Sequence, residues 1–270
     1  MKYILITIFA LAVIGLQAQS AEDRGLEIAT LADEADQGFG SSIVNLKMTL
    51  KNSNGQTSQR ELITKTLELT EDGDKSLIVF NSPRDVKGTS TLTFTHKEGS
   101  DDQWLFLPSI KRVKRISSNN KSGPFVGSEF AYEDLSSQEV EKYAHKFLEE
   151  KGDMLLVEQD PVDPKSGYKR RVVTYNKSKA YRIEKVDFYD RKNALLKTLT
   201  YSDYQLHKDK HWRAGTMTMV NHQSNKETVL EFSNYDFDVA LSDGDFSQAA
   251  IKDNRTVTYF IDINQNFKIE

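Results

Sequence analysis

The apolar residues recur at every second position over much of the chain. Between residues 44 and 50 they alternate with polar residues, which is typical of a strand that buries one face. Similar short runs follow at fairly regular spacing as far as residue 235, separated by turn-forming stretches such as 52–55 and 71–74. Many strands without interleaved helices predict one large antiparallel sheet, closed or nearly so, in a single domain.

The residues before the first strand have a helical period instead. Between Ala21 and Gly40 the apolar residues lie three, four, seven and eleven positions after Ile28, which places them on one stripe of a helix. Gly38 and Gly40 offer a stop. We therefore expect one N-terminal helix that packs its single apolar face on the sheet.

Residues 1–20 have the layout of a secretory signal peptide. Lys2 precedes about a dozen apolar residues, and the small-residue stretch Ala18-Gln19-Ser20 then offers a cleavage site before Ala21. An uncleaved anchor is the alternative, but the apolar run is shorter than the roughly 20 residues that cross a bilayer. We expect cleavage, export to the periplasm, and one domain over residues 21–270.

Composition and motifs exclude several kinds of chemistry. Cysteine is absent, so disulfides, thiolate metal sites and a cysteine nucleophile are excluded. The net charge of −4 argues against a general nucleic-acid binder. No Gly-x-Ser-x-Gly elbow occurs, and the residues between His207 and His211 indicate a hairpin tip rather than a metal-binding helix. We expect no enzyme activity, no metal and no cofactor.

One segment interrupts the strand pattern. Residues 117–124 are rich in serine, asparagine and glycine, and residues 125–135 mix aromatic residues with glycine and acids. Neither a strand nor a long helix explains this mixture. A loop with a short helix is the simplest interpretation, and long loops of this kind often act as lids.

Large apolar side chains on the strands and in this lid are candidates to line an apolar pocket, since methionine and aromatic residues adapt to ligand shape. An ordinary filled core explains the same periodicity equally well. The candidate lipid-binding residues are Met48, Phe80, Phe94, Trp104, Phe106, Phe130, Tyr132, Met217 and Met219.

Four cations lie within five positions, namely Lys111, Arg112, Lys114 and Arg115. In an exported protein they are candidates to dock on an acidic membrane surface or partner. Alternatively, these four cations are solvated residues at the rim of an edge strand and have no docking role. Strand alternation would place Lys111 and Arg115 on the face of Val113, and Arg112 and Lys114 on the other.

Three segments carry a family resemblance. Residues 80–89 read FNSPRDVKGT, residues 104–116 read WLFLPSIKRVKRI, and residues 130–135 read FAYEDL. In that order, they resemble a P-x-D-V-K-G-T stretch, the most distinctive segment, and an F-x-Y-E-D-L motif of the outer membrane lipoprotein-sorting protein family. The members of this family are relatives of the periplasmic carrier LolA. The likeness extends from the first helix to about Asp253, and residues 255–270 form an extension that matches nothing in the family.

The resemblance implies an incomplete antiparallel β-barrel (LolA-like), mainly β, with an N-terminal helix and a short helical lid covering a hydrophobic cavity. It further implies a monomeric carrier that binds acyl chains of lipids or lipoproteins and moves them toward the outer membrane. The partners so implied are an inner-membrane transporter and an outer-membrane acceptor, with transient membrane contact. An accessory or adaptor protein of an inner-membrane lipid or RND-type transporter, without cargo of its own, stays open as the alternative.

Overall fold

The computed structural model describes residues 19–253. All but the last two residues of the predicted signal peptide, and the C-terminal extension 254–270, lie outside the described residues. Among the described helices, none is long and apolar enough to cross a membrane.

Strands dominate the described residues, as the alternating pattern predicts. Two α-helices flank them, α1 (Ala21–Asp36) and α2 (Gln248–Asp253). The strands are β1 (Ser41–Lys51), β2 (Thr57–Leu67), β3 (Lys75–Ser82), β4 (Ser90–Phe94), β5 (Asp102–Leu107), β6 (Arg112–Ile116), β7 (Tyr143–Lys151), β8 (Met154–Pro161), β9 (Tyr168–Asn176), β10 (Arg182–Asp190), β11 (Leu195–Ser202), β12 (Gln205–His207), β13 (His211–Arg213), β14 (Thr216–Asn221) and β15 (Lys226–Phe237).

Thirteen of the strands form one antiparallel sheet, in the order β6-β5-β4-β3-β2-β1-β15-β14-β11-β10-β9-β8-β7. The two end strands, β6 and β7, do not pair with each other within residues 19–253, so the sheet is open. The predicted mainly β fold with an incomplete barrel is confirmed. Strands β12 and β13 form a separate hairpin in which His207 pairs with His211, which confirms the predicted hairpin tip.

Helix α1 covers the β7 end of the sheet. The Ser20 hydroxyl caps it by accepting a hydrogen bond of 3.0 Å from the Asp23 backbone N–H. The helix ends at Asp36 rather than at Gly40, because Gln37 is already extended. A Cβ atom at Gly25 would lie only 2.7 Å from the Phe147 backbone nitrogen, so the helix contacts β7 at backbone distance. An end strand covered in this way is protected from further pairing.

Apolar side chains lie on both faces of the first five strands. The neighbours Leu62 and Ile63 belong to different clusters, because alternate residues of a strand point to opposite sides. The main cluster runs across most of the sheet and includes Ile28 of α1. The second cluster lies on the other face of β1–β5 and includes Phe246 and Ile251, beside and within α2.

Residues 117–142, called the covering segment below, connect the two end strands. They contain four short 3-10 turns, at Ser118–Asn120, Phe125–Gly127, Tyr132–Leu135 and Val140–Lys142, instead of a longer helix. Phe125 and Phe130 are 1% and 3% exposed and belong to the main cluster. The segment therefore lies over the main cluster, where the sequence predicts a lid.

The end of the covering segment rests on a group of carboxylates. Glu139 is buried, and this desolvation, followed by the charges of Asp74 and Asp33, raises its pKa to about 7. Burial also raises the pKa of Asp74 to about 6, although its carboxylate accepts a hydrogen bond of 3.2 Å from the Ser137 hydroxyl. Protonation of either group therefore favours the packing of this region.

The raised pKa values predict how stability changes with pH. The ordinary values of 4.5 for Glu139 and 3.8 for Asp74 apply to the unfolded chain, so the folded protein binds protons more tightly. The stabilisation that these two groups give the fold is fully present at pH values below their ordinary pKa values, and it is lost as pH rises through about 6 to 7. We expect the free energy of unfolding, measured with urea, to fall between about pH 5 and pH 8.

Glu139→Gln should remove about half of this decline relative to the unchanged chain, because the pKa of Glu139 rises from 4.5 to about 7 and that of Asp74 rises similarly, from 3.8 to about 6. The matched control is Glu141→Gln, at an exposed neighbouring carboxylate that should leave the decline in place. An unaltered pH dependence in Glu139→Gln would contradict this assignment.

Candidate functional site

A buried ion pair attaches the covering segment to the sheet. Asp134 Oδ2 lies 2.6 Å from Lys197 Nζ on β11, and both side chains are 4% exposed. Asp134 also accepts hydrogen bonds from the Tyr168 hydroxyl at 2.7 Å and the Ala131 backbone N–H at 2.6 Å. Lys197 Nζ donates a second hydrogen bond, of 2.9 Å, to the Glu129 carbonyl. These bonds offset much of the desolvation cost of burying two charges.

Further polar contacts attach the segment on both sides of this ion pair. The Glu133 carboxylate accepts hydrogen bonds from the Ser166 hydroxyl at 2.8 Å and the Gly167 backbone N–H at 2.9 Å. The Glu129 backbone N–H donates to Thr228 Oγ1 of β15 at 3.0 Å. The segment is therefore held by side-chain contacts with β11, β15 and the loop before β9, and not as a strand of the sheet.

Six of the nine candidate lipid-binding residues lie in or against the main cluster. Met48, Phe80, Phe130 and Met219 are buried, whereas Tyr132 and Met217 are half-buried and pack against them. The ring of Phe125 joins the segment to the sheet, with its centroid 5.6 Å from that of Phe80 and 5.8 Å from that of Tyr132. These six residues form one continuous apolar region beneath and within the covering segment.

The other three candidates lie elsewhere. Phe94, Trp104 and Phe106 belong to the second cluster, on the opposite face of the sheet, and the ring centroids of Phe94 and Trp104 are 5.2 Å apart. The positions of these residues in β4 and β5 turn them toward the face that α2 covers. The expectation that all nine residues line one common pocket is therefore wrong for these three.

Sequence reasoning missed three residues of this region. Phe125 lies in surroundings rich in glycine and serine that show no period, so the pattern does not indicate its burial. Lys197 lies two residues before Leu199 on β11, so both side chains lie on the same buried face of the sheet. A lysine at an apolar position of the alternating pattern is a signal that the sequence contains. Its partner Asp134 lies within the FAYEDL motif, but no local pattern links two residues so far apart.

A polar cavity of about 320 Å³ lies beside the covering segment, between the β4–β5 and β8–β9 loops. Lys97, Lys121 and Lys142 line it together with Asp101 and Asp163. Lys121 Nζ lies 2.8 Å from Asp163 Oδ2, and Lys142 pairs with Asp101. None of the nine candidate apolar residues lines this cavity.

The four candidate docking cations lie at the β6 end of the sheet and are all exposed. Lys111 precedes the strand in a left-handed conformation, with φ 51°, so strand alternation does not fix its side. Arg115 pairs with Asp102, whereas Lys111, Arg112 and Lys114 have no carboxylate partner within residues 19–253.

Within the described residues, no group of three histidine, aspartate or glutamate side chains is arranged to hold a metal ion. His207 and His211 face each other on the β12–β13 hairpin, and their neighbours are aromatic. The ring of His207 lies 5.1 Å from that of Tyr235, and the ring of His211 lies 6.4 Å from that of Phe237. Both histidines therefore pack as part of an aromatic group.

Comparisons with known proteins agree with this architecture. A family model described as "Uncharacterized protein" matches residues 72–253. The crystal structure of an outer membrane lipoprotein-sorting protein domain from Vibrio parahaemolyticus is 51% identical, with a TM-score of 0.84, over 86% of this chain and 99% of that chain. The comparison with curated proteins finds no match.

Two further structures extend the likeness. A DUF1329 family protein from Desulfovibrio piger is 27% identical, with a TM-score of 0.81, over 86% of this chain and 100% of that chain. A LolA superfamily protein from Nitrosomonas europaea is 21% identical, with a TM-score of 0.66, over 86% of this chain and 99% of that chain, and so shares the fold. The chain belongs to the outer membrane lipoprotein-sorting protein family and has a LolA-like fold.

Proposed function

We propose that this protein is a periplasmic carrier that holds acyl chains of lipids or lipoproteins beneath the covering segment and moves them toward the outer membrane. The observation that carries the proposal is the main cluster, whose cover is an irregular segment attached mainly by side-chain hydrogen bonds and ion pairs instead of strand pairing. The description of its relative as a lipoprotein-sorting domain supports the same function.

Burial of a lipid chain can offset the exposure of the two buried phenylalanine rings of the cover. Moving the segment exposes Phe125 and Phe130, at a cost of roughly 3–6 kcal/mol for the two side chains. An acyl chain with about twelve methylenes gains about 10 kcal/mol when it is buried. A bound chain can therefore replace the two rings, and release follows when the segment closes again or an acceptor binds the chain more tightly.

The buried ion pair suits a contact that must open. Asp134 and Lys197 are desolvated when the segment is closed, and water solvates both charges when it lifts. Because the desolvation cost offsets most of the attraction, such a pair contributes little net stability while still fixing one closed position. The closed state is thus specific without being strongly favoured.

Two aspartate substitutions test which face holds the chain. Met217 lies at the margin of the main cluster and Phe94 at the margin of the second, and both are half-buried, so a new carboxylate can reach water in either place. We expect Met217→Asp to weaken binding of a fluorescent fatty acid by about tenfold or more, and Phe94→Asp to leave it unchanged. Fluorescence titration measures binding, and circular dichroism checks the fold.

The reverse result, with binding lost only in Phe94→Asp, would place the chain beneath α2 and contradict the proposed site. If the unchanged protein binds no fatty acid and its organic extracts contain no lipid by mass spectrometry, the accessory role without cargo is the correct one.

We also propose that Lys111, Arg112 and Lys114 contact an anionic membrane surface during loading or delivery. They are exposed beside Ile110, an apolar residue that is itself 48% exposed. Each cation near an anionic bilayer contributes about 1 kcal/mol. Cations at this end strand thus offer a membrane contact directly before the covering segment in the chain.

Changing these three cations to glutamine should weaken binding to vesicles that contain phosphatidylglycerol, and should make the remaining binding less sensitive to salt. The control changes three exposed lysines elsewhere, Lys146, Lys169 and Lys192, to glutamine, which removes the same charge. Vesicle sedimentation at low and high salt measures the binding and its salt sensitivity for each triple variant. Equal losses in the two triple variants would show that only net charge matters.

A further inference from the structure

A buried arginine next to the main cluster has only neutral hydrogen-bond partners. Arg171 on β9 is 6% exposed, and its Nε donates a hydrogen bond of 2.6 Å to Gln159 Oε1. Its guanidinium group also donates to Gln138 Oε1 and lies 3.7 Å from the centroid of the Tyr143 ring. No carboxylate pairs with Arg171 anywhere in the described chain, residues 19–253.

This arrangement differs from that of Lys197, a buried cation on a nearby strand. Lys197 has the Asp134 carboxylate at 2.6 Å, whereas Arg171 has amide oxygens in the corresponding role. A buried cation without an opposite charge is costly, because the protein replaces its hydration only in part. Arginine cannot relieve that cost by losing its proton. The position of Arg171 is therefore suited to an anion.

The polar cavity lies next to Arg171, separated from it by side chains that line the cavity. Gln138 and Tyr143 both line the cavity of about 320 Å³, and both contact the guanidinium group. Gln138 is exposed, and its Oε1 also accepts a hydrogen bond of 3.2 Å from the Tyr143 hydroxyl. A rotation of this one exposed side chain would open Arg171 to the cavity and leave room for another oxygen.

The cavity wall has donors but no carboxylate bonded to Arg171. Its carboxylates Asp163 and Asp101 pair with Lys121 and Lys142, and Lys97 Nζ donates to a backbone carbonyl at 3.1 Å. Two further lining carboxylates, Glu133 and Glu141, form no hydrogen bond with Arg171. Ser136 also lines the cavity, is 7% exposed, and its hydroxyl has no hydrogen-bond partner in the described chain.

On its other side Arg171 adjoins the apolar region. Gln159 Nε2 donates a hydrogen bond of 3.0 Å to the Tyr175 hydroxyl, and the Tyr175 ring belongs to the main cluster. Arg171 also shares the strand face of Val173, another residue of that cluster. It therefore lies where a polar cavity meets the proposed acyl site.

We propose that Arg171 binds the anionic headgroup of the cargo, a carboxylate or a phosphate, while the acyl chain lies in the main cluster. The headgroup oxygens replace Gln138 Oε1 and bind the guanidinium group, which is suited to two parallel hydrogen bonds with such an anion. This inference rests on the proposed carrier function and adds the chemical class of the cargo.

Binding of three fluorescent probes tests the inference. The probes are a fatty acid labelled at its terminal carbon, the methyl ester of the same acid, and a phosphatidylglycerol with the same label on one chain. We expect the unchanged protein to bind at least one anionic probe about tenfold or more tightly than the ester. A preference for the acid identifies a carboxylate headgroup, and a preference for phosphatidylglycerol identifies a phosphate.

Arg171→Gln should bind the anionic probe only as well as the ester, and Arg171→Lys should keep part of the preference. The matched control is Arg170→Gln on the same strand, since Arg170 pairs with Glu158 at 3.1 Å on the other face and should not affect the preference. Equal loss of preference in Arg170→Gln and Arg171→Gln would overturn the assignment to Arg171.

Gln138→Ala keeps the proposal testable if Arg171→Gln does not fold, because Gln138 is exposed. Removal of the competing amide should strengthen binding of the anionic probe severalfold and leave the ester unchanged. An unchanged preference in Gln138→Ala would count against the headgroup site. Tight binding of all three probes without preference would overturn the anion site but keep the carrier, and binding of none would overturn both.

Discussion

The buried ion pair between Asp134 and Lys197 fixes where the covering segment meets the apolar face of the sheet. An open sheet of thirteen strands cannot bury that face by itself, and α1 covers only the β7 end. The remaining cover is a segment of 3-10 turns that is not a strand of the sheet. Its position therefore depends on side-chain hydrogen bonds, ion pairs and the packing of Phe125 and Phe130, and the proposed carrier would exchange these contacts for a lipid.

The strand pattern could be predicted because one period explains each segment. Alternation over residues 44–50 falls within β1, and the helical stripe from Ile28 falls within α1 or directly after it. The ends were less predictable. Phe39 continues the helical stripe, but it packs edge-on to the ring of His211 instead, at 6.4 Å.

The site was predictable only in part, for a physical reason. Alternation shows which residues share a face of one strand, but not which of the two faces is covered by which element. Phe80 and Phe94 therefore look equivalent in the sequence and lie on opposite sides of the sheet. Charged residues in phase with apolar ones, such as Lys197 and Arg171, are a stronger sequence signal, because burial of a charge requires a specific partner.

Locking the covering segment in place tests the central claim most directly. The chain has no cysteine, so cysteines introduced at Glu129 and Thr228, which are joined by a hydrogen bond of 3.0 Å, would be the only two thiols available for a disulfide between the segment and β15. The account predicts that the oxidised protein takes up no fluorescent fatty acid and that reduction restores uptake to the unchanged level. Equal uptake by the oxidised and reduced forms would contradict it.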